Sequence, residues 1–349
     1  MSSINKNKPK GLLREGWDAT VEDYAICGSW SYDGKILVVG DAIGGVVAFE
    51  GTSGKILWEQ KNTHGDGLLS LAMHPNQHIF ATGGQDGKLL LWNTKTGLLH
   101  KEILLGRGWV DNLSWSSDGQ CLAVSIARRV HVYRADGSEI WKSEDHPSTV
   151  SAVEWSKNNE LATACYGRVT FFDGISGEIH QTFEWKGSLV SMTISPDGDI
   201  VACGSQDNSV HFWRRSTGED SMMAGYPGKP SALAFDAEGK FLATGGRSSV
   251  TVWNFQGEGP EGTAPEELEI HIQPITTLSF AHHGTRLASG ARDGAVIVWS
   301  LDNTGNGDII GAALVEEVIS KLLWRPDGRA LASLDAHGGV TVWRTGNES

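Results

Sequence analysis

The sequence predicts an all-β chain made of eight copies of one four-stranded antiparallel unit. Three observations carry this. The chain repeats itself with a spacing of 39 to 45 residues between equivalent positions. Within each copy, apolar and polar residues alternate with the period of a strand. Between the alternating runs stand tight-turn signals such as Tyr32-Asp33-Gly34, Ser117-Asp118-Gly119, Pro196-Asp197-Gly198 and Pro326-Asp327-Gly328. A fixed repeat of this length means a stack of one supersecondary unit, because no single copy can bury its apolar face alone.

The elements follow in the same order in every copy. The first strand ends on an apolar or aromatic residue: Trp30, Met73, Trp115, Trp155, Ile194, Phe235, Phe280 and Trp324. A second strand rich in Leu, Ala and Val runs into a Gly/Asp turn. That turn is one residue shorter in repeats three, four and six, at Ala127-Arg128-Arg129, Tyr166-Gly167-Arg168 and Arg247-Ser248-Ser249. The third strand closes on Phe49, Trp92, Tyr133, Phe172, Trp213, Trp253, Trp299 or Trp343. A fourth strand, such as Ile56–Gln60, leads to the next copy. The copies start near residues 25, 68, 110, 150, 189, 230, 275 and 319.

The last copy has no fourth strand, since Trp343 is followed by only six residues. The segment from Leu12 to Asp23, with Trp17, has no partner of its own. Pairing the two closes a ring and removes the exposed sheet edges. The expected architecture is therefore an eight-bladed β-propeller of four-stranded antiparallel blades, with an N-terminal strand zipped into the last blade. It occupies residues 12–345 as one domain, with flexible tails at 1–11 and 346–349.

Composition narrows the function. The 349 residues carry 29 Lys and Arg against 42 Asp and Glu, a net charge of −13. That balance argues against a nucleic-acid or anionic-membrane surface, although it leaves room for a local basic patch. Cys27, Cys121, Cys165 and Cys203 are far apart and form no CxxC pair, as expected of buried thiols in a reducing compartment. The N-terminus lacks the apolar region of a signal peptide, and no apolar run reaches membrane-spanning length. A monomeric cytoplasmic protein is expected. There is no GxSxG, P-loop, HExxH or dinucleotide-binding fingerprint.

At this point the residues resemble a known family. Over residues 12–345 the chain resembles the WD-repeat β-propellers, in which a His, a Ser or Thr, an Asp and a Trp form a hydrogen-bonded set. Two complete sets stand here: His64, Thr82, Asp86 and Trp92, and His271, Ser289, Asp293 and Trp299. In each, the His lies nine residues before the end of the first strand. His146 holds that place in repeat four, where the turn Asp is missing. In repeat five, Trp185 and Cys203 stand where the His and the hydroxyl are expected, and Trp185 is read as structural. The terminal Trp-Asp pair is degenerate throughout, and only Phe172-Asp173 keeps its Asp.

The resemblance implies a non-enzymatic scaffold for protein–protein interaction, with no cofactor and no resident metal. Its binding face would carry the loops before each first strand and the turns after each second strand. Carried onto this chain, the candidate partner-binding residues are Tyr24, Trp109, Asp111 and Lys229 beside the first strands, and Gln85, Gln206 and Arg292 in the turns. Trp109 fits no repeated slot, so it is either a binding anchor or a local packing group. The run from Glu258 to Glu269 is expected to be a long solvated loop, with docking of a basic partner as its alternative. His282-His283 and His337 are read as surface turn residues. A small-ligand, metal-binding or enzymatic propeller using the central channel is the rival reading, because a fold alone does not fix function.

Overall fold

A computed structural model of the chain describes residues 10–257 and 259–346. Residues 1–9, Glu258 and residues 347–349, which include most of both expected tails, lie outside the described residues. The protein is an all-β propeller of four-stranded antiparallel blades. The innermost strand of each repeat unit contacts that of the next, and Ile319–Trp324 contacts Ala25–Trp30, which completes the ring.

The number of separate sheets differs from the expectation. Among the described residues the strands form seven hydrogen-bonded sheets, not eight. The units numbered four and five in the sequence share one six-stranded sheet. Two long strands cause the fusion, Glu160–Asp173 and Ile179–Ile194. The first half of Ile179–Ile194 pairs with Glu160–Asp173, and its second half pairs with Ile200–Ser205. The short turn of repeat four lets Tyr166 pair with Ser188, so the ladder is carried across the junction. Residues 184–188 stay extended throughout, whereas the equivalent linkers at 61–67 and 105–109, which also lack proline, leave the strand conformation.

The N-terminal segment closes the ring. Leu13–Thr20 pairs antiparallel with Gly339–Thr345, with Leu13 opposite Thr345 and Thr20 opposite Gly339. The expected tail is shorter than residues 1–11. Lys10–Gly11 forms a brief strand against Gly307–Leu314 of the preceding sheet. Gly11 has φ +70, and a Cβ there would collide with the Ile310 carbonyl, so only glycine lets the chain cross between the two sheets.

The core lies in slabs between neighbouring units. One slab joins Leu334, Val340 and Val342 of the last unit to Leu37, Val47 and Phe49 of the first. Two sets of indole hydrogen bonds tie the slabs together. On the innermost strands, Trp115 Nε1 donates to the Ala72 carbonyl, Trp155 to Ser114, Trp324 to Ser279 and Trp30 to Leu323. Each bond reaches back to the preceding unit, and the last of these spans the closure. On the outer strands, Trp17 donates to Gly51, Trp58 to Thr94 and Trp141 to Gly174, each reaching forward to the next unit. Gly97, at φ +67, lies flat against the Trp58 ring, where any Cβ would clash with the indole.

The acidic run is not one long loop. Glu266–Glu269 forms the outer strand of its sheet, paired with Ser249–Asn254. Leu268 turns inward and is buried while its Glu neighbours stay outside, so the alternation Glu-Leu-Glu reads as a strand edge.

Candidate binding face around the channel

The polar sets sit between strands and are dry. His64 Nδ1 lies 2.9 Å from Asp86 Oδ1, and His64 Nε2 lies 2.9 Å from Thr82 Oγ1. Trp92 Nε1 donates to the same hydroxyl at 2.9 Å. The hydroxyl accepts from the indole and so donates to Nε2, which leaves the imidazole proton on Nδ1, facing the carboxylate. In unit seven, His271 Nε2 is 2.8 Å from Ser289 Oγ, His271 Nδ1 is 3.3 Å from Asp293 Oδ1, and Trp299 Nε1 donates to Ser289 at 2.9 Å. Burial holds both histidines below their ordinary value, against the pull of their carboxylates. Burial acts to raise Asp293, but the Ala295 and Ile272 amides and His271 outweigh it and hold that carboxyl low. These groups brace the blades.

Other units solve the same problem with other atoms. His146 Nε2 lies 3.0 Å from Thr163 Oγ1, and its Nδ1 donates at 3.0 Å to the Arg128 carbonyl in place of an Asp. In unit six, Tyr226 fills the slot: its hydroxyl is 2.8 Å from Thr244 Oγ1 and accepts from Trp253 Nε1 at 2.7 Å. Sequence reading missed Tyr226, although it lies nine residues before Phe235 just as His64 lies nine before Met73. In unit five, Trp185 stacks on His211 with ring centroids 3.9 Å apart, and its Nε1 finds no hydrogen-bond partner among the described residues.

The expected face is built by a recurring backbone latch. An amide in the turn after the second strand donates to a carbonyl just before the first strand of the same unit. Examples are Ala42 to Tyr24, Gln85 to Gly67, Gln206 to Ser188, Arg292 to Pro274 and Ala336 to Val318. The latch brings the two kinds of loop onto one side of the ring, around the channel.

The seven candidate residues do not form one patch. Tyr24, Lys229 and Arg292 line a single cavity of about 870 Å³ at the channel mouth. Tyr24 also lines a neighbouring cavity of about 490 Å³, which Asp111 lines too. Asp111 accepts from Asn112 Nδ2 at 3.1 Å and Ser125 Oγ at 3.2 Å, and loss of water at the channel wall pushes its carboxyl up. Gln85, Gln206 and Trp109 line neither cavity. Trp109 is 59% exposed on the loop leading into unit three. Sequence reading did not single out Arg247, which lines the larger cavity from the short turn of unit six.

Further titratable groups stand on the innermost strands, among them Lys321, which lines the smaller cavity, and Glu154. Glu154, on the innermost strand of unit four, accepts from the Ile194 amide at 3.3 Å across the junction with unit five. Burial pushes its carboxyl up to about 7. Burial likewise raises the Cys27 thiol to about 12 and the Cys121 thiol to about 11, which makes both inert at neutral pH. All four cysteines are unpaired and buried. Among the described residues no three His, Cys, Asp or Glu side chains gather as a metal ion would require, and no helix is long and apolar enough to cross a membrane.

Comparison with known proteins agrees with the fold. Residues 14–223 match the family model described as PQQ_2, outer membrane protein assembly factor BamB. Residues 263–300 match the model described as WD40, the WD domain or G-beta repeat. Autophagy-related protein 16 of Arabidopsis thaliana is 25% identical over 292 residues, covering 81% of this chain and 56% of that protein. Actin-interacting protein 1 of Caenorhabditis elegans is 22% identical, covering 80% and 47%. Pre-mRNA-processing factor 19 of Oryza sativa subsp. japonica is 26% identical, covering 66% and 46%. The chain thus spans about half of the length of these relatives. The crystal structure of the computationally designed Ika8 protein superposes with a TM-score of 0.81 at 21% identity, covering 96% of this chain and 99% of that one.

Proposed function

The chain belongs to the WD-repeat β-propeller family, with residues 14–223 also falling under the PQQ_2 repeat model, and from that premise we propose that it is a non-enzymatic scaffold binding one or more proteins through the loop face around its channel. One observation supports this most directly. Tyr24, Lys229 and Arg292 come from three different repeat units yet line one cavity at the channel mouth. A rigid ring that presents an aromatic ring and cations at fixed separations loses little entropy on binding. The names of the relatives point to autophagy, actin and pre-mRNA processing, so a shared platform carries over to this chain and a shared partner does not.

The same reading takes residues 12–345 as one domain acting as a monomer in the cytoplasm. Sedimentation of the purified chain and fractionation of cells test those two parts. The face itself is tested by co-purification with the double variant Trp109→Ala and Arg292→Ala. Partner recovery is expected to fall while the melting temperature stays within about 2 °C of wild type, as for substitutions at exposed sites. Unchanged recovery removes this face from the proposal.

A further inference from the structure

We propose that the larger channel-mouth cavity is a docking site for an acidic peptide segment of a protein partner. This rests on the scaffold reading above and names the chemistry of what it binds. The cavity spans four consecutive repeat units across the ring closure. It is lined by Lys229 and Arg247 from unit six, Arg292 from unit seven, Ser320 from unit eight and Tyr24 from unit one. Among the described residues no Asp or Glu lines it. That is unusual in a chain with 42 acidic and 29 basic residues, where a cationic hollow stands against the prevailing charge.

The three cations are not neutralised from within. Among the described residues none of Lys229, Arg247 and Arg292 forms a salt bridge, and all three are exposed. The carboxylates nearest in sequence are engaged elsewhere. Asp293 accepts from the Ile272 amide at 2.8 Å and the Ala295 amide at 3.0 Å. Asp335 accepts from the His337 and Gly339 amides at 2.9 and 2.8 Å. Glu317 lies 2.8 Å from His337 Nδ1, and Asp23 accepts from the Tyr24 amide at 2.6 Å.

Two guanidinium groups and one ammonium around a hollow of about 870 Å³ can face several carboxylates at once. Each guanidinium offers a planar fork suited to a carboxylate, and the concave wall between them limits screening by solvent. The latch bond from the Arg292 amide to the Pro274 carbonyl, and the bond from the Ile275 amide of unit seven to the Arg247 carbonyl of unit six, fix the backbones that carry the two arginines. An extended acidic segment fits this spacing because successive side chains can reach cations on different units. A compact basic or apolar partner finds no complementary charge there.

The test uses the full chain and a fluorescein-labelled peptide of twelve residues rich in Glu, followed by anisotropy. Saturable binding is expected, weakening several-fold as salt rises from about 50 to about 300 mM. Arg247→Ala with Arg292→Ala should raise Kd about tenfold or more. Lys95→Ala, at an exposed position in the turn between Lys88–Asn93 and Leu99–Leu104, should leave Kd unchanged. A Lys-rich peptide of equal length should not bind. No binding of the acidic peptide, or equal weakening by the Lys95 control, overturns the proposal. So does an RNA of equal length binding more tightly than the peptide and losing that affinity in the double variant. Peptide failure combined with lost partner recovery in the Trp109 and Arg292 variant would leave the scaffold reading standing and overturn only the acidic class.

Discussion

Units two and seven differ from unit five in how they fill the same buried slot. In units two and seven, a histidine bridges a turn carboxylate and a strand hydroxyl, and an indole donates to that hydroxyl. In unit five the offsets are identical: Trp185 precedes Cys203 by the 18 residues that separate His64 from Thr82, and Asp207 and Trp213 follow in register. There the polar relay is replaced by an indole stacked on His211, which in turn meets Trp213 edge-on. One backbone therefore accepts either a satisfied polar network or a packed ring stack. What it requires is a filled slot, since in unit five the ring stack is kept although Trp185 Nε1 has no partner among the described residues.

Removing residues 1–23 should have the largest effect on both kinds of unit. This takes away Leu13–Thr20 with buried Leu13 and Trp17, and buried Val21 just beyond it. Loss of these apolar groups alone costs about 5 kcal/mol or more. Both kinds of unit should then melt together, in one calorimetric transition more than about 10 °C below wild type. Two separated transitions would show that the units are independent.

His64→Ala comes next. It leaves Asp86 and Thr82 without their bridge and should cost about 2–4 kcal/mol in denaturant unfolding. The matching test in unit five is a double-mutant cycle. Trp185→His alone should destabilise by about 2–4 kcal/mol through lost packing. Adding Cys203→Thr should recover about 1 kcal/mol or more, because the new imidazole gains its hydroxyl. Strict additivity would mean that unit five no longer holds the geometry of the relay.

Acidity separates the two regions by sign. His64 and His271 have folded values held below 6.5. Their contribution is fully present above about pH 6.5 and is lost as pH falls, because the unfolded chain takes up protons first. Glu154, at the junction of units four and five, is raised from 4.5 to about 7. It is best tolerated below about pH 4.5 and becomes costly as pH rises through 7. Glu154→Gln should therefore stabilise by about 1–2 kcal/mol at pH 8 and have no such effect at pH 4. Thermal melts of both proteins at the two pH values check this.

The smallest effect expected is from Trp115→Phe. It removes one indole donor to the Ala72 carbonyl and should cost about 0.5–1.5 kcal/mol. Met73, Ile194, Phe235 and Phe280 occupy the same position without such a donor, so the slot tolerates its loss.

Much of this was legible in the letters. The ends of the first strands, the closing N-terminal strand and the spacing of both histidine sets follow from period and offset alone. The fused sheet was not, because Glu184–Ser188 looks like any polar linker until its amides are seen pairing. The strand at Glu266–Glu269 was hidden by its charge, and only Leu268 betrays an inner face. Tyr226 was hidden by chemistry: a phenol and an imidazole look unlike, yet both place a polar atom beside the same hydroxyl. The convergence of Lys229, Arg247 and Arg292 is a property of ring curvature, which brings together residues far apart in sequence and leaves Trp109 outside.

The pairing of Leu13 with Thr345 has a topological consequence. The two ends of the described fold lie side by side on neighbouring strands, and the inner indole bond from Trp30 to Leu323 joins the last unit to the first in the same way as bonds elsewhere in the ring. The circle therefore has a seam but no privileged origin. A circular permutant that joins the ends by a short linker and opens the chain in the turn at 260–263 would retain every ladder of the ring.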